Sequence, residues 1–427
     1  MKPVELVDLD RGRVHMHAYT APDVFALEMR RIYYRTWIFV AHESEIEFAG
    51  DYKTTRIGQV PVIVTRDEHG GVNVMVNRCA HRGTTVCQRE TGNANYFKCE
   101  YHGWVYDNKG KLTGLSLRKG YADDEVVDSS IGLQPLPRVE SYQGLIFASM
   151  NPDVESLDDF LGNAKPYIDD WAGQVPNGNV AVQGGKWQLE YRGNWKLQAE
   201  NNTEGYHPDF LHQAAVRVQV YNSERSRAAA GKESRGRAPR IASLTSAGLD
   251  LGNGHNLVET PQVGILARRR YPADYLEALA ESVGEENLDR VLGPPWRLTI
   301  FPSLSLGGSN IRVIHPFAAD HTLVQQYFVD LPSAPDSVRD FRRSQEQGFY
   351  GQAGYGGPDD VEMFERMQEG FASADAEILN PWSLFNRQIT QEVELDNGIL
   401  SADSSSEITQ RAVYRGWRRY MTEGDQL

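Results

Sequence analysis

Two short segments, NRCAHRGTTVC and FKCEYHGW, constrain this 427-residue chain more than any other feature. In the first, Cys79 and His81 flank one residue; in the second, Cys99 and His102 flank two, and seventeen residues separate His81 from Cys99. Each loop thus offers one thiol and one imidazole. That mixture suits a binuclear iron–sulfur centre in which two thiolates hold one iron and two imidazoles hold the other. Gly83 and Gly103 directly follow the histidine segments, where a tight turn brings backbone amides toward the sulfides. A Cys2His2 zinc site more often groups its cysteines in one knuckle and its histidines in another, so mixed pairs on both loops argue against zinc. A buried cysteine pair with incidental histidines accounts for any one of these residues but poorly for all four. The third cysteine, Cys87, has no partner, and an odd count of three gives no disulfide framework; it is expected to be a core residue.

The rest of the composition narrows the partners. A net charge of −14 repels a phosphate backbone, so nucleic acid is excluded as a partner, although the run Arg268, Arg269, Arg270 is suited to a small anion. No apolar stretch has the length of a signal peptide or a membrane span, and a cytoplasmic protein without membrane contact is expected. Hydrophobic residues at 40% supply real cores, and the length suggests about two or three domains.

Along the chain, Thr20 and Pro22 open an amphipathic run that predicts a helix over 21–36. From about 50 to 150, short β-rich runs alternate with turn signals such as His69-Gly70-Gly71, the pattern of a small antiparallel β-sandwich that contains both Cys/His loops. Helices follow near 156–171 and over Trp195–Glu204, with strands around 181–192. Residues 222–262, rich in Ser, Gly, Ala and Arg, read as a mobile loop or lid. Strand alternation returns in WRLTIFPSLSLGG, NIRVIHPF and LVQQYFVDL, then helices near 337–350, 358–375 and 404–421. Strands in blocks and helices in blocks indicate an α+β fold with an antiparallel sheet.

The segment QAENNTEGYHPDFLH carries a second constellation, His207 and His212 with Glu204 three residues before the first. Two histidines and one carboxylate on one face of an iron leave positions open for oxygen and substrate. Five residues of ideal helix rotate the second histidine about 140° from the first, so the pair does not share one helical face. Pro208 is expected to push His207 out of the helical region and start a new helix after it.

C-x-H followed by C-x-x-H at this separation resembles the Rieske domain of the bacterial ring-hydroxylating oxygenases, and the resemblance extends over nearly the whole chain. It implies a β-sandwich Rieske [2Fe-2S] domain, residues 39–155, inserted in a helix-grip catalytic domain of antiparallel sheet plus helices, residues 1–38 and 156–427. It implies that Cys79, His81, Cys99 and His102 hold the cluster. Respiratory Rieske proteins carry two more cysteines, at positions matching Thr84 and Tyr101, so the cluster implied is the low-potential type. His207, His212 and a downstream acid would hold a mononuclear Fe(II). In GYGGPDDVEMF Asp360 fits best, 153 residues after His207, with Asp359 as the alternative since it suits a helix cap. The family assembles as trimers, α3 or α3β3 with a small β subunit, in which an acid bridges His102 of one subunit and His207 of its neighbour. That acid is usually Asp; Glu204 stands in its place here. Asn201 is a weaker candidate in the same role of supporting the ligands.

The activity implied is insertion of oxygen from O2 into a small aromatic substrate, by ring hydroxylation or cis-dihydroxylation, with NAD(P)H serving only through a separate reductase and a possible ferredoxin. No G-x-G-x-x-G lies in a strand-turn-helix setting, which agrees with nicotinamide binding elsewhere. An O- or N-demethylating monooxygenase of the same superfamily is the alternative, and a pure electron carrier leaves His207, His212 and Asp360 without purpose. Phe301, Leu304, Leu306, Ile314 and Phe317 are candidates to line an apolar pocket, and Arg217 or Arg268–Arg270 to anchor an aromatic acid.

Overall fold

The computed structural model describes residues 2–121, 131–176, 180–182, 185–229, 247–259, 268–292, 296–375 and 378–423. The chain divides into two compact units. One comprises residues 29–160 with 181–183, the other residues 1–28, 161–180 and 184–427.

The first unit is built of antiparallel strands. Val72–Val76, Val60–Arg66, Asp51–Ile57 and Thr91–Asn93 form one sheet; Leu112–Gly114, Val105–Asp107 and Tyr96–Lys98 form a second; Arg138–Tyr142, Leu145–Ser149 and Ile38–His42 form a third. β-Branched and aromatic residues suit these half-buried pleated surfaces, and Tyr52, Ile63, Met75, Phe97, Trp104 and Tyr106 meet in a core that also receives Cys79 and Cys99. The unit takes in more chain than the expected 39–155. Trp37 donates its indole N–H to the Glu155 carbonyl at 2.8 Å, and the Val182 N–H reaches the Ser44 hydroxyl at 2.9 Å.

The second unit is an α+β arrangement on an antiparallel sheet of nine strands. Their order is Lys186–Tyr191, His321–Phe328, Asn310–Ala318, Leu304–Leu306, Trp296–Ile300, His255–Glu259, Ala247–Gly252, Leu400–Ala402 and Val393–Glu394. The lid expected over 222–262 is corrected here: the helix Gln213–Ala229 covers its start, and the hairpin of Ala247–Gly252 with His255–Glu259 occupies the sheet interior. The hairpin turns at Asn253-Gly254, with φ of 53° and 84°, the Asn-Gly signal that favours two successive left-handed residues. Residues 230–246 and 260–262 of that expectation lie outside the described residues. The helix expected over 21–36 is Pro22–Glu28 continued by a π-helical turn, Met29–Tyr33, and the C-terminal helix is Ile408–Glu423. The latter packs so close to the hairpin that a Cβ on Gly416 would sit 2.6 Å from the Gly254 Cα.

A buried charge cluster ties three segments of this unit together. Glu28 and Lys196, both 0% exposed, pair at 2.6 Å, while the indoles of Trp195 and Trp417 donate to the same carboxylate at 2.8 and 2.7 Å. The carboxylate thus accepts three hydrogen bonds, two on Oε1 and one on Oε2, and such added donors are the condition under which a buried pair is tolerated. Glu28→Gln leaves the Lys196 ammonium unpaired, with an expected loss of about 3–5 kcal/mol of unfolding free energy; chemical denaturation measures it, and a loss below about 1 kcal/mol contradicts the account. Among the described residues no helix is long and apolar enough to cross a membrane.

Candidate iron sites

The two Cys/His loops fold alike. In each, the cysteine N–H donates to the carbonyl five residues on (Cys79 to Thr84, Cys99 to Trp104, both 2.8 Å), and the glycine N–H donates back to the cysteine carbonyl at 2.9 Å. This closure needs a left-handed residue, and Gly83 and Gly103 supply it with φ of 77° and 73°. Cys79 and Cys99 are buried and unbridged, and the rings of His81 and His102 lie 4.5 Å apart. His81 stacks on Trp104, and its buried Nδ1 has no hydrogen-bond partner among the described residues. An imidazole nitrogen left bare beside two buried thiols fits a cluster ligand, since an unpaired buried polar atom is otherwise costly. Tyr106, unforeseen in the sequence, accepts from the Ala80 N–H at 3.1 Å and turns its hydroxyl to the Cys79 sulfur at 3.1 Å. Hydrogen bonds to cluster sulfurs are one of the levers on reduction potential. Thr84 gives its carbonyl to the Cys79 N–H, Tyr101 is exposed, and Cys87 sits half-buried at the edge of the core.

In the second unit Asn194 caps the helix Trp195–Asn201 by accepting from the Lys196 N–H at 3.1 Å. The helix stops at Asn201, short of the expected Glu204. Glu204 then bends back: Oε1 accepts the N–H groups of Tyr206 and His207 at 3.1 and 2.7 Å, and Oε2 meets His207 Nδ1 at 2.8 Å. His207 consequently keeps helical backbone angles, φ −66° and ψ −29°, despite the proline after it. This corrects the expectation that Pro208 expels it from the helical region; two hydrogen bonds to its neighbourhood outweigh a modest steric bias. The break falls instead at His212, φ −92° and ψ 27°.

With Nδ1 engaged, His207 turns Nε2 inward. It lies 3.6 Å from Asp360 Oδ1, His212 Nε2 lies 3.2 Å from the same oxygen, and one donor atom from each of the three residues falls within 4.8 Å of the others. Asp360 is 6% exposed, on the helix Gly357–Phe371 as expected, whereas the Asp359 side chain is 43% exposed. Asn201 donates to Asp360 Oδ1 at 3.2 Å and approaches His207 Nε2 at 3.3 Å. Two imidazoles and one carboxylate converging in a buried spot fit a divalent iron with open positions. Phe349 packs edge-on against His212, and Gly356 leaves it room: a Cβ there would stand 2.3 Å from its ring.

A cleft of about 570 Å³ reaches His207 and Asp360, with an apolar lining that includes Leu197, Phe210, Met363 and Phe364 and with Glu200 and Glu204 on its wall. Glu200 accepts from Tyr19 at 2.9 Å and from Tyr414. Burial, against those hydrogen bonds, pushes its carboxyl up to about 7. Positions 19, 200 and 414 share no local pattern that would reveal this group. Of the residues expected to line a pocket, Phe301, Leu304, Leu306, Ile314 and Phe317 do not border this particular cleft. The first four are sheet core, Phe301 against Trp195 and Tyr420, and Phe317 packs on His321. The expected anion anchors are corrected as well. Arg217 is exposed beside Gln213, Arg268 pairs with Glu285, Arg269 is exposed, and Arg270 covers the Phe341 ring.

Two loops fit for a mixed thiolate–imidazole cluster and a separate two-histidine, one-carboxylate site define a Rieske-type non-heme iron oxygenase. Residues 36–122 match the Rieske [2Fe-2S] domain and residues 180–423 the ring hydroxylating alpha subunit catalytic domain. The chain is 35% identical to the toluate 1,2-dioxygenase subunit alpha of Pseudomonas putida over 84% of its own length and 79% of that protein. It is 32% identical to the anthranilate 1,2-dioxygenase large subunit of Acinetobacter baylyi over 96% of its length and 90% of that protein. A naphthalene 1,2-dioxygenase with indole bound in its active site shares the fold, with TM-score 0.83 at 24% identity over 99% of this chain and 95% of that one. The chain belongs to the ring-hydroxylating oxygenase α-subunit family and carries a Rieske [2Fe-2S] cluster and a mononuclear iron.

Iron analysis separates the two acids of the downstream segment. Asp360→Ala is expected to lose about one of roughly three irons per chain while the visible spectrum of the cluster persists. Asp359→Ala is expected to keep them all, and the opposite pattern assigns the third ligand to Asp359.

Proposed function

We propose that this chain is the terminal oxygenase subunit for an aromatic acid, hydroxylating the ring to a cis-dihydrodiol with electrons from NAD(P)H delivered by a separate reductase, directly or through a ferredoxin. The substrate class rests on the relatives, which are named for toluate, 2-halobenzoate and anthranilate. The observation that carries the oxygenase chemistry is the convergence of His207, His212 and Asp360 beside an apolar cleft. When bound, the iron supplies oxygen activation and the cluster supplies single electrons. The balance is an arene, O2, two electrons and two protons giving one diol.

In this reading Cys79, Cys99, His81 and His102 hold the cluster, and His207, His212 and Asp360 hold the iron. Asn201 steadies the ligands from one side and Glu204 from the other. Glu204 keeps the His207 Nδ1–H fixed, so that Nε2 presents its lone pair inward. Its second duty is to meet His102 of a neighbouring subunit in an α3 or α3β3 assembly with a small β subunit. The extra methylene over the family's aspartate gives the carboxylate reach for both the backbone and the imidazole.

Incubation with a surrogate reductase, NADH and labelled O2 tests the reaction on benzoate, m-toluate and anthranilate. Product carrying both oxygen atoms of one O2 is expected; a single labelled oxygen, or loss of a methyl group, supports a monooxygenase instead. Glu204→Gln is expected to keep both metals by spectrum and iron content yet to lose product formation at least about 100-fold, because the neutral amide weakens a charge-assisted link on both sides. Product formation near the wild-type rate with a normal electron supply removes the bridging role.

A further inference from the structure

Deep in the catalytic unit the cation of Arg312 has no carboxylate partner among the described residues. Arg312, on the strand Asn310–Ala318, is 5% exposed. Its Nη1 donates to Asn202 Oδ1 at 3.3 Å, and its guanidinium lies 4.0 Å from the centre of the Tyr350 ring. Nε and Nη2 have no hydrogen-bond partner among the described residues. Those two N–H groups share one edge of the planar guanidinium, the edge that a carboxylate occupies through two parallel hydrogen bonds.

The surroundings repeat the demand. Asn202 Nδ2 and Gln326 Nε2, the latter directly across the strand pair from Arg312, are also buried donors without a partner among the described residues. A second guanidinium, Arg297, lies 4.9 Å from the same Tyr350 ring and adds like charge. Among the described residues no carboxylate comes within ion-pair distance of Arg312. Asp360 and Glu346 act on it only through space, and Glu346 is already accepting from Asn310 at 2.8 Å. Buried donors in excess and an unpaired buried cation are disfavoured unless an anion completes them. The group adjoins the iron site: Asn202, which accepts from Arg312, directly follows Asn201, which bonds Asp360.

We propose that Arg312 anchors the carboxylate of the substrate through its Nε and Nη2 edge, with Asn202 and Gln326 as supporting donors. The inference rests on the aromatic-acid reading above and gives that reading its recognition element. Arg312 acts on specificity: it holds the acid group so that the ring is presented to the neighbouring iron, and it discriminates against neutral isosteres.

The test uses the holoenzyme with benzoate, m-toluate and anthranilate, each against its carboxamide. Arg312→Gln is expected to lower kcat/KM for the acids at least about 100-fold, two charge-assisted hydrogen bonds being lost, while the carboxamides change by less than about threefold. Calorimetric Kd values for the acids should weaken in parallel, with iron content and the cluster spectrum unchanged. Arg312→Lys, which keeps the charge and not the fork, should recover part of the acid preference, and it decides the matter if the Gln variant does not fold. A metal-replete variant with the wild-type acid-to-amide ratio overturns the anchor alone. A wild-type enzyme that binds none of the acids and oxidises neutral toluene overturns the aromatic-acid reading, and the anchor with it.

Discussion

The carboxylate of Glu204 is the interaction on which the catalytic site depends. It takes three N–H groups at once, from the backbone of Tyr206 and His207 and from the His207 ring. The first two would otherwise be orphaned where one helix has ended and another is about to start. The same anion therefore caps a helix and sets an imidazole, so the ring's direction is inherited from the backbone rather than from side-chain packing. From that direction follows the approach of His207 Nε2 to Asp360, an oxygen that also faces His212 and Asn201. A site assembled from a broken helix on one side and a continuous one on the other needs such a clamp on the broken side.

Much of this was legible in the sequence, and unevenly so. The spacing of Cys79, His81, Cys99 and His102 was informative because a short loop leaves few geometries, and the two glycines after it take left-handed angles. The strands of the small unit were readable from β-branched runs between turn signals. Distance along the chain hid the rest. The Ala247–Glu259 hairpin was masked by a polar, Gly- and Ser-rich approach, although its Asn-Gly turn was in plain view. Surface arginines at 217 and 268–270 were better advertised by local sequence than Arg312, whose meaning lies in what fails to surround it. Cores and pockets built from alternating apolar strands look the same in one dimension; Phe301 proved to be core because Trp195 and Tyr420, from two helices, pack on its ring, and Leu304 is fully buried in the sheet.

Lys196 and Arg312, both buried in this unit, make the physical contrast plain. Lys196 is enclosed with a carboxylate that also receives two indoles, so its charge is consumed by structure. Arg312 is enclosed with an amide, an aromatic face and a second guanidinium, so its charge is left outstanding. Burial alone does not tell a structural ion from a recognising one. The inventory of unmet donors does, since a fold that has already satisfied its polar groups has nothing left to offer a ligand.

Gly356 carries a further consequence. The helix bearing Asp360 begins one residue later, and the space where a Cβ would stand is filled by Phe349, whose ring leans on His212. The tip of one helix, an aromatic wedge and a metal-facing imidazole thus touch in series, like cogs with no slack between them. A methyl group added at position 356 would displace the ring that packs on the imidazole, so enlarging this turn disturbs a ligand, and variation in substrate shape is cheaper at walls that do not bear on the ligands.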